Sequence, residues 1–389
     1  MNKSFFLNPK TDRIGWLAWG LYLLVVCYLV GRWPEVRNIT HHYRDASLHW
    51  WASEDLYTAH NMDGFLYLPQ SAVLFTPFGF LPITLGELLW RLTSLGALAW
   101  GVWRLAKIVE GNRSERVFLL MTFLAVPASL SSARSGQFNM IMGALMIHAS
   151  VDLILRNWSR SAFWLCLAVG LKPLAIVLFL LCGALQKELR VRLLVGACVL
   201  VAIGFLHANM DYVLRQWQLC WGMLTVASGD PENKFCDLGG LLRTLGYKPS
   251  QELLLSFSAL FSIVTLGLCY SLYRRKRDQI FIGLTMLGLA SAYLMIFNPR
   301  NETNSYVILS PVMAAFCIKL WLEDRRPRLA VVFAILTFLL GSDSIPRPVY
   351  QWTNLWLKVL IAMFFMGFLA IEIYRKPTSV KMGQVGSDG

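Results

Sequence analysis

Residues Ser161–Cys182 read SAFWLCLAVGLKPLAIVLFLLC, apolar throughout except for Lys172, with Pro173 directly behind it. A lysine at membrane depth is costly and usually faces a cavity, a partner or a ligand. The competing reading is a lysine at a helix end that snorkels to the headgroups. The stretch is expected to be a hairpin with Gly170-Leu171-Lys172-Pro173 at its tip, each arm being about 11 residues long. Such arms are short for an apolar core of about 30 Å. Broken helices at that depth are tolerated only where they are buried in protein or line a wet cavity.

The rest of the chain supplies the membrane. Of 389 residues, 56% are hydrophobic and only 15% are charged, a balance that no soluble core of this size needs. The sequence is therefore read as an all-α, polytopic transmembrane protein with about 10–12 membrane segments, short re-entrant or broken helices among them. The net charge of +13 is not a nucleic-acid footprint, because its basic residues cluster between the apolar spans. These clusters include Lys3/Lys10/Arg13, Arg104/Lys107, Arg156/Arg160, Lys187/Arg190/Arg192, Arg274–Arg277 and Arg325/Arg326/Arg328. The positive-inside rule assigns them to the cytoplasm, with both termini. That assignment requires residues 68–82 to be a re-entrant or interfacial helix. It sends loops 32–67 and 208–252 outside, and loops of that length are usually functional. Residues 1–374 are expected to form one integral-membrane domain, and 375–389 a disordered tail.

Polar groups gather on the outer side. The first loop carries Asp45, Asp55 and Asp63 among histidines and aromatics, and ends at Tyr67. A carboxylate held there can act as a general base on a hydroxyl, although a solvated loop charge is the plainer alternative. Arg134 is followed by Gln137 and Asn139 at the start of an apolar span. The two amides can bind a ligand or merely cap and bridge helices. Arg134 and Lys172 together could neutralise a phosphate. A third cluster, Asn298–Tyr306, adds Arg300, Glu302 and Tyr306. Cys220 and Cys236 share the second outer loop, so an oxidising compartment could join them. No Cys/His spacing fits a zinc site, and no nucleotide-binding fingerprint is present.

Several of these elements resemble glycosyltransferase family 87, integral-membrane enzymes of the GT-C fold typified by mycobacterial polyprenyl-phosphate-mannose-dependent mannosyltransferases. The resemblance runs through Asp45, Leu56-Tyr57, Phe65–Pro69 with Thr76-Pro77-Phe78, Ser135–Asn139 and Gly170–Pro173. It spans about residues 10–325. Where the family often has Ser-Pro…His-His-Tyr, this chain has Asn298-Pro299…Asn304-Ser305-Tyr306, so the histidines are gone.

The resemblance implies an inverting enzyme that moves a hexose, most plausibly mannose, from a polyprenyl-phosphate donor to a glycolipid or glycan hydroxyl. The site would face the outside or periplasm of a bacterial inner or plasma membrane. Asp45 would be the base. Lys172, Arg134 and Arg300 would hold the donor phosphate, with Gln137, Asn139, Glu302, Tyr306 and Tyr67 completing substrate binding. No metal or other cofactor is expected, and the partners are lipid-linked sugar, acceptor and membrane lipid. The rival reading is a transporter or flippase for a lipid-linked or anionic solute, since broken helices with cations also mark transporters. No inverted repeat is visible to support it. A membrane scaffold would leave Lys172 unexplained.

Overall fold

The computed structural model describes residues 9–34, 36–57, 64–111, 116–228, 235–344 and 347–375. Asp63 and the tail from residue 376 onward lie outside them. Helices follow one another with no strand among the described residues. The first six are α1 Pro9–Arg32, α2 Thr40–Ala52, α3 Pro69–Gly79, α4 Ile83–Glu110, α5 Val117–Ser135 and α6 Phe138–Ile154. Next come α7 Trp158–Leu171, α8 Ile176–Leu185, α9 Lys187–Ile203, α10 Met210–Ser228, α11 Leu238–Thr244 and α12 Gln251–Arg274. Then follow α13 Gln279–Phe297, α14 Ser310–Leu322, α15 Pro327–Leu339, α16 Arg347–Thr353 and α17 Leu357–Tyr374.

Six of these helices, counting Thr303–Leu322 as one, are long and apolar enough to cross a membrane. The α3–α4 pair makes a seventh if its two parts count as one span. Three shorter apolar segments, Phe138–Ile154, Pro173–Leu185 and Pro327–Leu339, accompany them. The protein is a polytopic helical membrane protein, as its composition requires. Leu17, Leu21 and Leu24 on α1 and Leu260 and Ile263 on α12 point outward and exposed, a surface suited to lipid rather than water.

Proline chemistry makes the breaks. Pro173 disfavours helical geometry in the residue before it, and Lys172 accordingly lies in extended backbone at φ −143°, ψ 113°. A short 3₁₀ turn, Pro173–Ala175, then starts α8. Pro82, at φ −49°, ψ 138°, opens α4, and α3 meets α4 at 113°. Residues 68–82 therefore do form a short bent helix ahead of a long one.

α6 is apolar on all sides and every one of its residues is buried, which identifies it as the central helix. Its two ends define the two ends of the bundle. Near its C-terminus, Arg104 pairs with Asp152 at 2.8 Å, and Gln279 donates to the Leu153 carbonyl. Lys107 pairs with Asp12, and Arg277 and Arg326 both reach Glu372. Gln186, at the end of α8, donates to Tyr273 near the end of α12. The basic clusters thus collect at one end. Lys172 lies at the other, bonded to Asn139 at the start of α6. The arms α7 and α8 both open toward the basic end, so the hairpin expected from the sequence is present.

The long polar loops are partly helical, which their mixed composition had hidden. α2 packs its Tyr43, Ala46, Ser47 and Trp50 inward. Gly79 of α3 meets it so closely that a Cβ there would lie 1.9 Å from Ser47 Oγ. α10 docks on the same loop: Arg215 pairs with Asp55 at 2.6 Å, and Gln216 bonds both Asp55 and the Leu56 amide. The suggested bond between Cys220 and Cys236 does not form, and both thiols are free. Cys220 packs against the Tyr67 carbonyl, whereas the Cys236 backbone pairs with Asn301.

Candidate functional site

The site begins with an ion pair that hydropathy conceals. Arg91 on α4 is fully buried and meets Glu87, one turn earlier, at 2.6 Å. The same guanidinium donates to Asn38 Oδ1 at 3.0 Å and to the Arg134 carbonyl at 3.1 Å. Thr40 donates to Glu87 from the start of α2. Two segments, the start of α2 and the end of α5, are tied to α4 in this way. Trp90 adds a bond from its indole N–H to the Gly136 carbonyl at 2.7 Å. Gly136 caps α5 at φ +71°, a conformation that glycine adopts without strain.

The turn so fixed aims Gln137 and Asn139 into a polar chain. Gln137 Nε2 donates to Glu302 Oε2 at 2.6 Å. Asn139 Nδ2 donates to Gln137 Oε1 at 2.7 Å and to Ser305 Oγ at 2.9 Å. Asn139 Oδ1 accepts from Lys172 Nζ. Asn304 Nδ2 also donates to Glu302 Oε2, at 3.1 Å. Glu302 and Lys172 are thereby joined through two neutral amides. No carboxylate lies within ion-pair range of Lys172 among the described residues. Its ammonium lies 5.7 Å from the centre of the Tyr67 ring. Tyr67 in turn meets the Tyr43 hydroxyl at 3.2 Å. Lys172 therefore points inward and does not snorkel.

One polar cavity adjoins this chain, and an apolar groove lies along α8. On the Glu302 side is a polar cavity of about 980 Å³, bordered by Asn38, Ser135, Gln137, Thr303, Tyr350 and Asn354. Asp343 in its wall pairs at 2.7 Å with buried Lys358, which also donates to the Thr303 carbonyl. An apolar groove of about 660 Å³, whose lining begins at Ile176, four residues beyond Lys172, runs between α8, α9, α12 and α13. Its walls include Leu180, Leu193, Leu266 and Tyr293, with Arg190 at the basic end.

Of the residues singled out by sequence, Lys172, Gln137, Asn139, Glu302 and Tyr67 come together. The others do not join them. Arg134 donates to the Trp33 carbonyl at 2.6 Å and so braces the end of α1. Arg300 lies over Phe235, 5.5 Å from the ring centre. Tyr306 is fully buried, donating to the Cys236 and Met295 carbonyls, and packs the structure instead of facing a ligand. Asp45 is exposed on α2 and carries no hydrogen bond or ion pair among the described residues. Sequence reasoning passed over Arg91, Glu87, Asp343 and Lys358. An arginine four residues after a glutamate within an apolar span was the available signal for the first pair.

The fold and site together define a polytopic membrane protein with a lysine and a carboxylate linked through amides beside a polar cavity. The family model of glycosyltransferase family 87 matches residues 65–299, more than half of the chain. The chain belongs to that family and is a membrane glycosyltransferase. No curated protein matches it.

Proposed function

We propose that this glycosyltransferase transfers a hexose, most plausibly mannose, with inversion from a polyprenyl-phosphate donor to a hydroxyl of a glycolipid or glycan. The observation that supports this is Lys172, a cation without a carboxylate partner, held on the amide chain four residues before Ile176, where the lining of the apolar groove begins. A polyprenyl tail suits the groove, with its phosphate at the Lys172 ammonium. The basic end of the bundle is the cytoplasmic one by the positive-inside rule, which turns the cavity toward the outside or periplasm of a bacterial inner membrane.

In the reaction the acceptor oxygen bonds to the anomeric carbon as the bond from that carbon to the phosphate oxygen breaks. The acceptor proton passes to a carboxylate, and polyprenyl phosphate leaves. Lys172 offsets the charge that the leaving phosphate gains, the kind of electrostatic help that commonly dominates such steps. The resemblance makes Asp45 the base. Asp55 is engaged by Arg215 and Gln216, which leaves it a structural part.

The test is release of free polyprenyl phosphate in proteoliposomes supplied with short-chain polyprenyl-phosphate hexoses and an alkyl glycoside acceptor. Release that depends on the acceptor, with an inverted linkage in the product, is expected. Absence of release with every hexose, or a retained configuration, overturns the reading.

A further inference from the structure

The cavity beside Glu302 has a composition that a phosphate site does not need. Its polar border is largely uncharged, with Asn38, Ser131, Ser135, Thr303, Tyr350 and Asn354 supplying hydroxyls and amides. Charge within it nearly cancels: Asp343 is already paired with Lys358, and the exposed Arg37 at the rim balances Glu302. Glu302 receives its two donors, Gln137 and Asn304, on Oε2, and none among the described residues on Oε1. Asn354 also has a buried Oδ1 that accepts nothing. A carboxylate oxygen and an amide oxygen left open in a neutral polar cavity suit hydroxyl donors, and bonds to the carboxylate are the stronger kind.

The family match ends at residue 299 and begins at residue 65. Lys172, Asn139, Gln137 and Tyr67 lie inside it. Much of the cavity border lies outside it, in 37–39, 302–304, 343, 350 and 354–355. The two sides of the amide chain therefore come from different parts of the sequence.

We propose that this cavity is the acceptor subsite, that it takes a neutral saccharide headgroup through its hydroxyls, and that Glu302 is the residue that reads it. The proposal rests on the glycosyl-transfer reading. Acceptor choice is then set by segments outside the family match, while the donor side is the family's. Gln137 links the two, because it holds Glu302 with one end of its amide and Asn139 with the other.

The experiment uses the full chain in nanodiscs and two probes, octyl α-D-mannopyranoside and octyl phosphate, with binding read by saturation-transfer NMR. Ring protons of the mannoside should receive saturation. Glu302→Gln, which keeps the shape of the side chain, and Asn354→Phe, which fills the cavity from the turn after α16, should each weaken mannoside binding about tenfold. Lys172→Met should weaken octyl phosphate binding and leave mannoside binding in place. Mannoside binding that survives both cavity variants, or that falls only with Lys172→Met, overturns the proposal. The two readings fail differently. Mannoside binding lost in both cavity variants, with no hexose transfer from any polyprenyl donor, keeps the saccharide site and sinks the transferase mechanism. Transfer that proceeds with acceptor KM unchanged in both variants does the reverse.

Discussion

Gly136 rests against the guanidinium of Arg91, so closely that a Cβ on it would lie 2.4 Å from Nη1. Glycine is required there twice, by that contact and by its φ of +71°. The pair fixes the turn that delivers Gln137 and Asn139, so the geometry of the amide chain is set by a contact outside the chain itself.

Gly136→Ala should therefore cost both stability and activity. The added methyl must displace a buried arginine that is bonded to Glu87, Asn38 and Arg134. Loss of a buried ion pair's partner typically costs about 3–5 kcal/mol, and a partial displacement should cost roughly half of that. Thermal unfolding in detergent measures it. A variant as stable and as active as the wild type would show that the turn is not held by Arg91.

Sidedness can be read with an impermeant thiol reagent on intact cells. A cysteine at Ser53, exposed beside α2, should be labelled, and one at Lys276, in the turn between α12 and α13, should not. The opposite pattern would invert the molecule and remove the donor from the outer leaflet.

Much of this architecture was legible because membranes leave few options: apolar length and prolines indicated spans and breaks, and the basic clusters indicated one common end of the bundle. The 68–82 helix and the 161–185 hairpin follow from Pro82 and Pro173. The helices α2 and α10 were not visible, since their inward residues, such as Tyr43, Trp50 and Gln216, are interleaved with charges. At the site, Lys172, Gln137 and Asn139 stood out as polar groups in apolar runs. Arg134 and Tyr306 stood out as members of polar clusters at span ends, yet their bonds go to backbone carbonyls. A sequence shows that a polar group needs a partner but not whether that partner is protein or substrate.

Asp237 gives the fold a pH dependence. It caps α11 by accepting from the Gly240 amide at 2.8 Å, and burial pushes its carboxyl up to about 6, against the opposing pull of that amide and of Arg243. Its folded pKa lies above its ordinary value, so the native state binds the proton more tightly. Stability should fall as pH rises from about 4 through about 6, then level off. Asp237→Asn keeps an acceptor oxygen and removes the ionisation. It should be more stable than the wild type above pH ~7 by roughly 2–3 kcal/mol, a gap that closes toward pH ~4. Unfolding midpoints at those two pH values decide it, and a variant less stable at the higher pH would contradict the argument.

Lys172→Met should leave folding nearly intact and impair donor use. A half-buried cation without a carboxylate partner costs stability, so its removal should be neutral or favourable, apart from one hydrogen bond lost to Asn139. The phosphate carries charge in the ground state and gains more in the transition state, so both KM for the donor and kcat should worsen. A protein that unfolds while still binding donor normally would make Lys172 a structural residue.

Asp45→Asn is the sharpest test of the assigned base. The change is nearly isosteric and the side chain is exposed on α2, so the fold should be unaffected. Loss of a positioned base costs about 10²–10⁴-fold in rate, and kcat should fall by that factor with donor binding retained. Glu302→Gln should differ in kind. Loss of a carboxylate that holds the acceptor should raise the acceptor KM more than it lowers kcat, and the pH profile of kcat should keep its acidic limb, where a base gains its protonless form. If Asp45→Asn keeps full activity while Glu302→Gln flattens that profile and abolishes kcat, the proton goes to Glu302, and the exposed position of Asp45 is the reason. The comparison needs only the two variants, one donor and one acceptor, with initial rates taken across the same pH range.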